Sequence, residues 1–330
     1  MVLAYSGKTE IVWQTVSPAV IDKVSDELDF IKSVYHGVSF FHHDTVFHNL
    51  RYEDAAFYDA LAEKFTLSEA HEGKAELAFL NRPRSSNLAS GYITEDHQRA
   101  LVVGEGFGLF KSAVSGFASL QVEPAGYVPA HAAALSLNGK GILFAGGSRG
   151  GKTTALFNVA IQAHLQGVDV KILCDDWLIV RPSDGRLVAS TFDPSISLTL
   201  SDLDRAISLD RIDKSDLLER LKTRSKISVP PSFVFGPQVQ TREISIDAIV
   251  IINPSAGLDK LEPCGSGGIA DFLISSAYHF PYVSDQLRDR HRKFWTAWAD
   301  RVPVHEYSYL GKLGFGPSIA RLVDSLLSSQ

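Results

Sequence analysis

The sequence predicts an α/β protein whose central feature is a glycine-rich loop between a strand and a helix. Apolar residues at 142–145 lead into the loop at 146–151, and helical periodicity follows from 153 to 167. The next apolar run, 168–176, is typical of a strand and ends in two aspartates. Strand, loop, helix and strand in this order are characteristic of α/β folds, so we predict a core with a mixed sheet over residues 126–330.

A separate mixed α/β region of residues 1–125 is predicted to precede this core. Two of its segments, 18–33 and 52–65, carry apolar residues at helical spacing. Short apolar runs predict strands within 38–50, 74–81 and 98–106. None of these elements carries a motif with a nameable chemistry.

Turn and cap signals predict how the core is connected. Asn138-Gly139 between two apolar runs is a strong signal for a two-residue hairpin. Gly167 is a suitable C-cap for the helix after the loop. A second hairpin is predicted to turn at 182–185. Further elements are predicted as a strand at 244–254 and helices at 269–280, 286–298 and 318–329. The helix at 286–298 carries residues of both charge signs and is expected to be simply an exposed helix face.

The overall composition excludes several classes of protein. The 330 residues are 45% hydrophobic and carry a formal net charge of −6, which argues against a nucleic-acid binder or a protein of anionic membrane surfaces. No apolar run approaches the roughly 20 residues of a membrane span, and no signal peptide is apparent at the N-terminus. Cys174 lies in an apolar run and is expected to be a buried thiol, with Cys264 distant in sequence. We therefore expect a reduced, cytoplasmic protein and leave a homo-oligomer open.

The glycine-rich loop matches the pattern of a phosphate-binding P-loop, G-x-x-x-x-G-K-[ST]. Glycines allow successive backbone N–H groups to converge on phosphate oxygens, and the N-terminus of the following helix adds positive potential. Lys152, expected to be exposed in the loop, would reach the β- and γ-phosphates, and the Thr153 hydroxyl would bind Mg²⁺. The predicted nucleotide-binding residues are Gly146, Gly147, Ser148, Arg149, Gly150, Gly151, Lys152, Thr153 and Thr154.

Two adjacent carboxylates and one histidine complete the candidate site. Asp175 and Asp176 end the first strand after the P-loop helix, at the edge where ligands of open α/β sheets bind. One carboxylate near the metal and a second as proton acceptor would suit phosphoryl transfer to an alcohol. A strand-terminal turn is the structural alternative for this Asp pair. His131 begins the strand before the hairpin and, by type, is more often structural than catalytic.

At these residues the sequence resembles the HPr kinase/phosphorylase family, whose core is related to phosphoenolpyruvate carboxykinase. The similar stretch covers about 50 residues, from His131 to the Asp-Asp pair, and continues more faintly to about residue 280. The resemblance implies a phosphoenolpyruvate-carboxykinase-like P-loop core in which Lys152 and Thr153 serve the nucleotide and Mg²⁺. It also implies that Asp176 is the acid/base residue, paired with His131, and that Asp175 lies close to the metal.

The chain departs from the family pattern at three places. Thr154 stands where the family's regulators carry an acidic residue, the stretch 190–200 replaces their second signature, and 261–270 contains no Arg in place of their basic loop. These departures give no basis for recognition of HPr itself or for the reverse phosphorylase reaction. Tailoring kinases that phosphorylate the hydroxyl of a peptide or a small molecule fit the pattern better.

The predicted function is an ATP-dependent, Mg²⁺-requiring kinase that acts on a hydroxyl, either a Ser or Thr side chain or a small alcohol. The N-terminal region of residues 1–125 is a candidate for binding that acceptor. The alternatives left open are an NTPase switch without an acceptor and, on fold kinship alone, a decarboxylating carboxykinase. In the basic segment 219–226, every second residue from 220 is a cation, so on an extended strand these side chains would share one face: Arg220, Lys222, Arg224 and Lys226. They could bind a triphosphate or an anionic acceptor, or they could simply be solvated.

Overall fold

The computed structural model divides the chain into two compact units, residues 1–127 with 278–288, and residues 128–277 with 289–330. The predicted helices at 18–33, 52–65 and 318–329 lie outside the described residues. The described residues are 10–15, 46–51, 75–80, 89–94, 99–103, 123, 126–147, 150–191, 195–202, 226–253, 260–265, 268–277 and 285–308.

The first unit contains a five-stranded sheet. Its strands are β1 (Glu10–Thr15), β2 (Val46–Arg51), β3 (Ala75–Leu80), β4 (Ala89–Thr94) and β5 (Arg99–Val103). The order is β2-β1-β5-β4-β3, with β1 parallel to β2 and β5 and the other pairs antiparallel. The strands predicted within 38–50, 74–81 and 98–106 are confirmed as β2, β3 and β5.

The second unit is built on a mixed sheet in which nine strands are described. The central part has the order β6-β10-β11-β14-β8-β7-β9, and β16 joins β14 and β15. The strands are β6 (Val128–Ala130), β7 (Ala132–Leu137), β8 (Lys140–Ala145), β9 (Val170–Cys174), β10 (Leu178–Ser183), β11 (Arg186–Ser190), β14 (Glu243–Asn253), β15 (Lys260–Pro263) and β16 (Val304–Ser308). A two-stranded ribbon, β12 (Ile196–Leu198) and β13 (Ile227–Val229), accompanies the sheet.

The sheet curls because the continuous stretch that contains β6 and β7 contributes strands near both ends of the strand order. β6 pairs with β10, whereas β7 pairs with β8 and β9, and His131 alone separates β6 from β7. The stretch that contains β9 and β10 is its pairing partner on both sides of His131. Cys174 of β9 faces Ala134, and Leu178 of β10 faces Ala130. The two long stretches therefore form one antiparallel ladder that is interrupted opposite His131.

The helix after the loop, α1 (Lys152–Leu165), packs over β7, β8 and β9. Its apolar residues bury against Leu135, Leu137, Ile142 and Phe144 of the sheet. The helix ends as predicted, with Gly167 at a φ of 72° and two Schellman-type bonds: Gly167 N–H donates to His164 O and Val168 N–H to Ala163 O. A short helix, α2 (Pro231–Phe235), extends this core through an edge contact between Phe157 and Phe235.

The two predicted hairpins form, with one shift of the turn. Asn138 and Gly139 occupy the left-handed region at φ 47° and 79° and join β7 to β8, as predicted. The second turn consists of Asp184 and Gly185, at φ 50° and 76°. Pro182, predicted to lie in that turn, is instead the fifth residue of β10, beyond the stretch of that strand that pairs with β6.

Two further helices are described, α3 (Ile269–Ala277) and α4 (Asp285–Ala299). The prediction that 286–298 is simply an exposed face is wrong, because Leu287, His291, Trp295 and Trp298 are buried. The charged residues between them mask an apolar stripe at helical spacing. No helix in the described part of the chain has the length and hydrophobicity to cross a membrane.

A β-bulge fixes the close approach of β8 and β14 below the loop. Gly141 faces Ile246 and Ile142 faces Ala248, so Asp247 is the extra residue, and its Oδ2 accepts the Gly141 N–H at 2.8 Å. A Cβ added to Gly141 would lie 1.8 Å from the Ser245 carbonyl oxygen. Only glycine fits here without a shift of the backbone.

We expect Gly141→Ala to destabilise the fold by about 3 kcal/mol, because the added methyl group must displace the backbone of β14. Denaturant unfolding of the variant and the wild type measures the difference. Gly265→Ala is the matched control, since a Cβ there meets nothing within 4 Å. Equal stability of the Gly141 variant and this control would contradict the tight packing of β8 on β14.

Candidate functional site

The candidate site lies at the edge of the sheet where β8 ends. At this edge Ala145, the last residue of β8, faces Ala132 of β7 on one side and Ile251 of β14 on the other. The loop continues directly from Ala145, and His131 directly precedes Ala132. The topology therefore brings His131 and the loop to neighbouring positions. Ser148 and Arg149 lie outside the described residues.

The first turn of α1 presents the backbone N–H groups that the sequence predicts for a phosphate cradle. Gly151 is the N-cap at a φ of 93°, and no side-chain cap or acidic residue occurs in the described first turn. Ala155 N–H already bonds Gly151 O, which leaves the N–H groups of Lys152, Thr153 and Thr154 as the unpaired start of a helix. These groups and the positive end of the helix favour an anion at this point.

The loop backbone is closely packed at two of its glycines, and most tightly at Gly150. A Cβ on Gly150 would lie 2.9 Å from Gly147 O, the same atom to which Gly150 N–H donates. A Cβ on Gly146 would lie 3.2 Å from Ile252 O and 3.3 Å from Cγ of Lys152. The glycines thus allow the loop to fold back closely on itself and on β14.

Lys152 is buried, which corrects the expectation that it is exposed in the loop. Its Nζ donates to Gly146 O at 3.0 Å and to Gly147 O at 3.3 Å. The side chain therefore lies along the inside of the loop and brings its charge to the loop's own carbonyl groups.

Burial lowers the pKa of Lys152 from its ordinary value. The negative charges of Asp176 and Asp175 oppose this shift, and the positive charge of Lys226 adds to it. Burial has the larger effect, so the folded chain disfavours the charged ammonium relative to water. An anion bound in the loop would offset that cost.

His131 and Asp176 form a hydrogen-bonded pair, with Nε2 and Oδ1 2.8 Å apart. The imidazole is buried with 8% of its side chain exposed, whereas the Asp176 side chain is 44% exposed. The interrupted ladder explains the geometry: Asp176 lies in the bend after β9, opposite the residue between β6 and β7. A buried imidazole thus orients a carboxylate that solvent or a substrate can still reach.

Asp175 points to a different partner from its neighbour. Its side chain is buried, and Oδ2 accepts the Ser197 N–H of β12 at 2.7 Å. Adjacent residues on a regular strand face opposite sides. Asp175 and Asp176 lie in the bend after β9, and their carboxylates bond to different partners. Asp175 joins the end of β9 to the β12–β13 ribbon, while Asp176 meets His131.

Trp177 anchors the bend that carries both carboxylates. Its carbonyl oxygen accepts the Thr191 hydroxyl at 2.8 Å and the Cys174 thiol at 3.3 Å. Its ring lies 6.2 Å from the imidazole of His131, centroid to centroid. Cys174 is a buried thiol, as predicted, and neither Cys174 nor Cys264 forms a disulfide. These contacts fix the backbone on both sides of the Asp pair.

A Mg²⁺ ion at this site would have to be held largely by a bound nucleotide. Among the described residues, no cluster of three or more His, Cys, Asp or Glu side chains could hold a metal. Mg²⁺ at nucleotides is usually held by one or two protein oxygens together with phosphates and waters. The Thr153 hydroxyl, partly exposed at the start of α1, and the carboxylate of Asp175 provide that kind of donor set.

Two contributors to this site carried no recognisable signal in the sequence, and a third carried only an ambiguous one. Ser197 acts through its backbone N–H, which any residue could supply. Trp177 acts through its carbonyl oxygen and ring. Lys226 was one member of a basic segment with a solvated alternative, and of the four cations in that segment it is the one within the described residues.

Comparison with known proteins adds little to this geometry. No protein-family model matches the chain, and no curated protein matches it with significance. Among solved structures, that of the Hpr(Ser) kinase/phosphatase from Coxiella burnetii aligns with 61% of this chain and 88% of its own, at 12% identity and a TM-score of 0.31. The likeness at that score is distant and establishes neither a shared fold nor a shared activity.

We expect Asp175→Asn to lower the free energy of unfolding by about 1–2 kcal/mol, because a charge-assisted bond to Ser197 N–H becomes a neutral one. If Asp175 is also a metal ligand, Mg²⁺-dependent nucleotide binding weakens as well, since an amide oxygen is a poorer ligand for a hard cation. Denaturant unfolding and nucleotide titration with and without Mg²⁺ measure the two effects. Asp184→Asn, in an exposed turn, is the control. Wild-type stability in the Asp175 variant would contradict the bond to β12.

Proposed function

We propose that this protein is an ATP-dependent phosphotransferase that transfers the γ-phosphoryl group to a hydroxyl of a peptide, a protein or a small molecule. The proposal includes a phosphoenolpyruvate-carboxykinase-like P-loop core, on the basis of the sequence resemblance from His131 to Asp176. It also includes ATP as the donor, Mg²⁺ as the cofactor and the cytoplasm as the compartment.

The observation that carries the proposal is the His131–Asp176 pair beside the loop. A general base must be accessible to the proton that it removes and held in a productive orientation. Asp176 meets both conditions, since its carboxylate is 44% exposed and its Oδ1 lies 2.8 Å from the buried Nε2 of His131. Asp176 accepts the proton of the acceptor hydroxyl as its oxygen attacks the phosphorus. His131 orients the carboxylate and stabilises its charge.

The loop supports the donor side of the same reaction. The N–H groups at the start of α1 bind the β-phosphate, and Lys152 places positive charge against the phosphoryl group that moves. Mg²⁺, held by Thr153 and Asp175, would neutralise charge on the β- and γ-phosphates. In the transition state the buried ammonium of Lys152 acts at low dielectric, where it stabilises negative charge more strongly than in water.

Labelled ATP incubated with Mg²⁺ and a panel of hydroxyl acceptors tests the proposal. The panel contains Ser and Thr peptides, free serine and threonine, and small alcohols. The expected result is ADP release that depends on one acceptor class. The label from the γ-phosphate should be recovered on that acceptor as a phosphate ester of its hydroxyl. ADP release that is equal with and without every acceptor would instead support an NTPase switch. Absence of ATP binding would overturn both functions.

A further inference from the structure

The β12–β13 ribbon is bonded to the candidate site through the middle residue of β12. Ser197 of β12 donates its N–H to the buried carboxylate of Asp175. In the ribbon, Ser197 faces Ser228 and Leu198 faces Ile227. The bond to Asp175 therefore fixes the middle of the ribbon relative to the end of β9, and the paired residues on either side of it follow.

Lys226 is the residue that immediately precedes the ribbon strand β13. Ile227, the next residue, faces Leu198 in the last pair of the ladder, so Lys226 lies one residue beyond that pair. Ser228, which faces the anchored Ser197, is two residues further along β13. The Lys226 side chain is exposed, whereas Ile227 beside it is buried. The ribbon thus carries an exposed cation on a backbone that is bonded to Asp175.

Lys226 and Lys152 are two positive charges that act on each other. The charge of Lys226 is close enough to contribute to the lowered pKa of Lys152. In the described part of the chain, no carboxylate forms an ion pair with either ammonium group; Lys152 donates to carbonyl oxygens instead. Two cations that repel each other across a site are relieved by an anion of more than one charge between them.

We propose that Lys226 binds the terminal phosphate of the nucleoside triphosphate, opposite Lys152, and so distinguishes the triphosphate from the diphosphate. The proposal rests on the function proposed above. The N–H groups of α1 and Lys152 serve the phosphates that lie in the loop, which ATP and ADP share. The third phosphate would extend beyond them. Lys226 is the candidate for it because its ribbon is bonded to Asp175 and its charge acts on Lys152.

Nucleotide binding to the full chain, measured by calorimetry with Mg²⁺, tests this role without any acceptor. The probes are ADP and a non-hydrolysable ATP analogue with an imido bridge between the β- and γ-phosphates. In Lys226→Ala, we expect the Kd of the imido analogue to rise about tenfold, the scale of one lost charge-assisted hydrogen bond, and the Kd of ADP to change by less than about twofold. Lys226→Arg should restore most of the difference, since it keeps the charge.

The controls separate this role from a general effect of charge. Lys140→Ala removes a lysine at the start of β8, the end of that strand away from the loop, and should leave the affinities for ADP and the imido analogue unchanged. An equal loss of affinity for ADP and the imido analogue in Lys226→Ala would overturn the proposal, as would unchanged affinity for both. Unchanged nucleotide affinities with a raised KM for the acceptor would also overturn it and assign the cation to the acceptor. Failure of the wild type to bind either nucleotide would instead refute the proposed function itself.

Discussion

Asp176→Asn is expected to reduce kcat about 10²- to 10⁴-fold while nucleotide affinity stays near that of the wild type. An amide has the same shape as the carboxylate but cannot accept the proton of the attacking hydroxyl, and this is the usual scale of a lost acid/base group. The carboxylate is half-exposed and hydrogen-bonds to His131, and an amide keeps its shape, so the phosphate cradle should remain intact. Single-turnover transfer rates, measured beside nucleotide titrations, give the two quantities separately.

The neighbouring residues provide the comparison that makes this result specific. His131→Ala should produce a milder loss of kcat than Asp176→Asn, because it removes the group that orients the base and leaves the base itself. Asp175→Asn should act on stability and Mg²⁺-dependent binding instead. If Asp175→Asn lost transfer activity and Asp176→Asn lost Mg²⁺-dependent binding, the two roles would be exchanged. Full transfer activity in both variants would remove the proposed mechanism.

The local elements of this site were predictable because their signals are local. Asn138-Gly139 requires two residues with positive φ, and the structure has them at 47° and 79°. The helix after the loop ends at Leu165, close to the predicted position, because its apolar periodicity stops there and Gly167 tolerates the left-handed conformation after the cap. The alternating run before Asp175 likewise predicted β9, which ends at Cys174.

The parts that depend on pairing between distant residues were not predictable from the sequence. The contact of His131 with Asp176 requires that β6 and β7 pair with β10 and β9 across 45 positions of sequence. Strand periodicity gives no information on partner or register at that separation. The sequence resemblance, rather than periodicity, implied this pair.

Burial was the other property that single residues did not reveal. Lys152 follows a glycine-rich stretch and was expected to be exposed, yet its stem packs inside the loop and its Nζ donates to two loop carbonyls. In α4, Arg and Asp residues between Leu287, His291 and Trp295 obscured a buried face. For Lys152 the tertiary neighbours determine exposure, and the adjacent residues do not encode them. For α4 the helical spacing of the buried residues was present in the sequence, but the charges between them concealed it.

Lys152→Met is expected to reduce turnover by at least about 10²-fold, the scale on which one preorganised charge contact to a transition state contributes. The same variant should be as stable as the wild type or more stable. Burial lowers the pKa of Lys152, so the folded chain binds the proton less tightly than the unfolded chain does. Below its folded pKa the charged ammonium therefore costs stability, and this cost disappears as pH rises toward the ordinary lysine range. Replacement by an apolar side chain of similar length removes the cost.

Thermal unfolding across pH, with and without the imido analogue of ATP, tests this argument together with turnover. In the wild type, Tm should rise with added nucleotide, because a ligand that binds only the folded state stabilises it. Lys152→Met should begin at an equal or higher Tm, gain less from nucleotide, and lose the part of the pH dependence that belongs to this lysine. Lys140→Met, which replaces a lysine at the start of β8 away from the loop, should behave as the wild type in all three respects. A large fall in the Tm of Lys152→Met without nucleotide would mean that Lys152 holds the loop together through Gly146 and Gly147 rather than serving an anion.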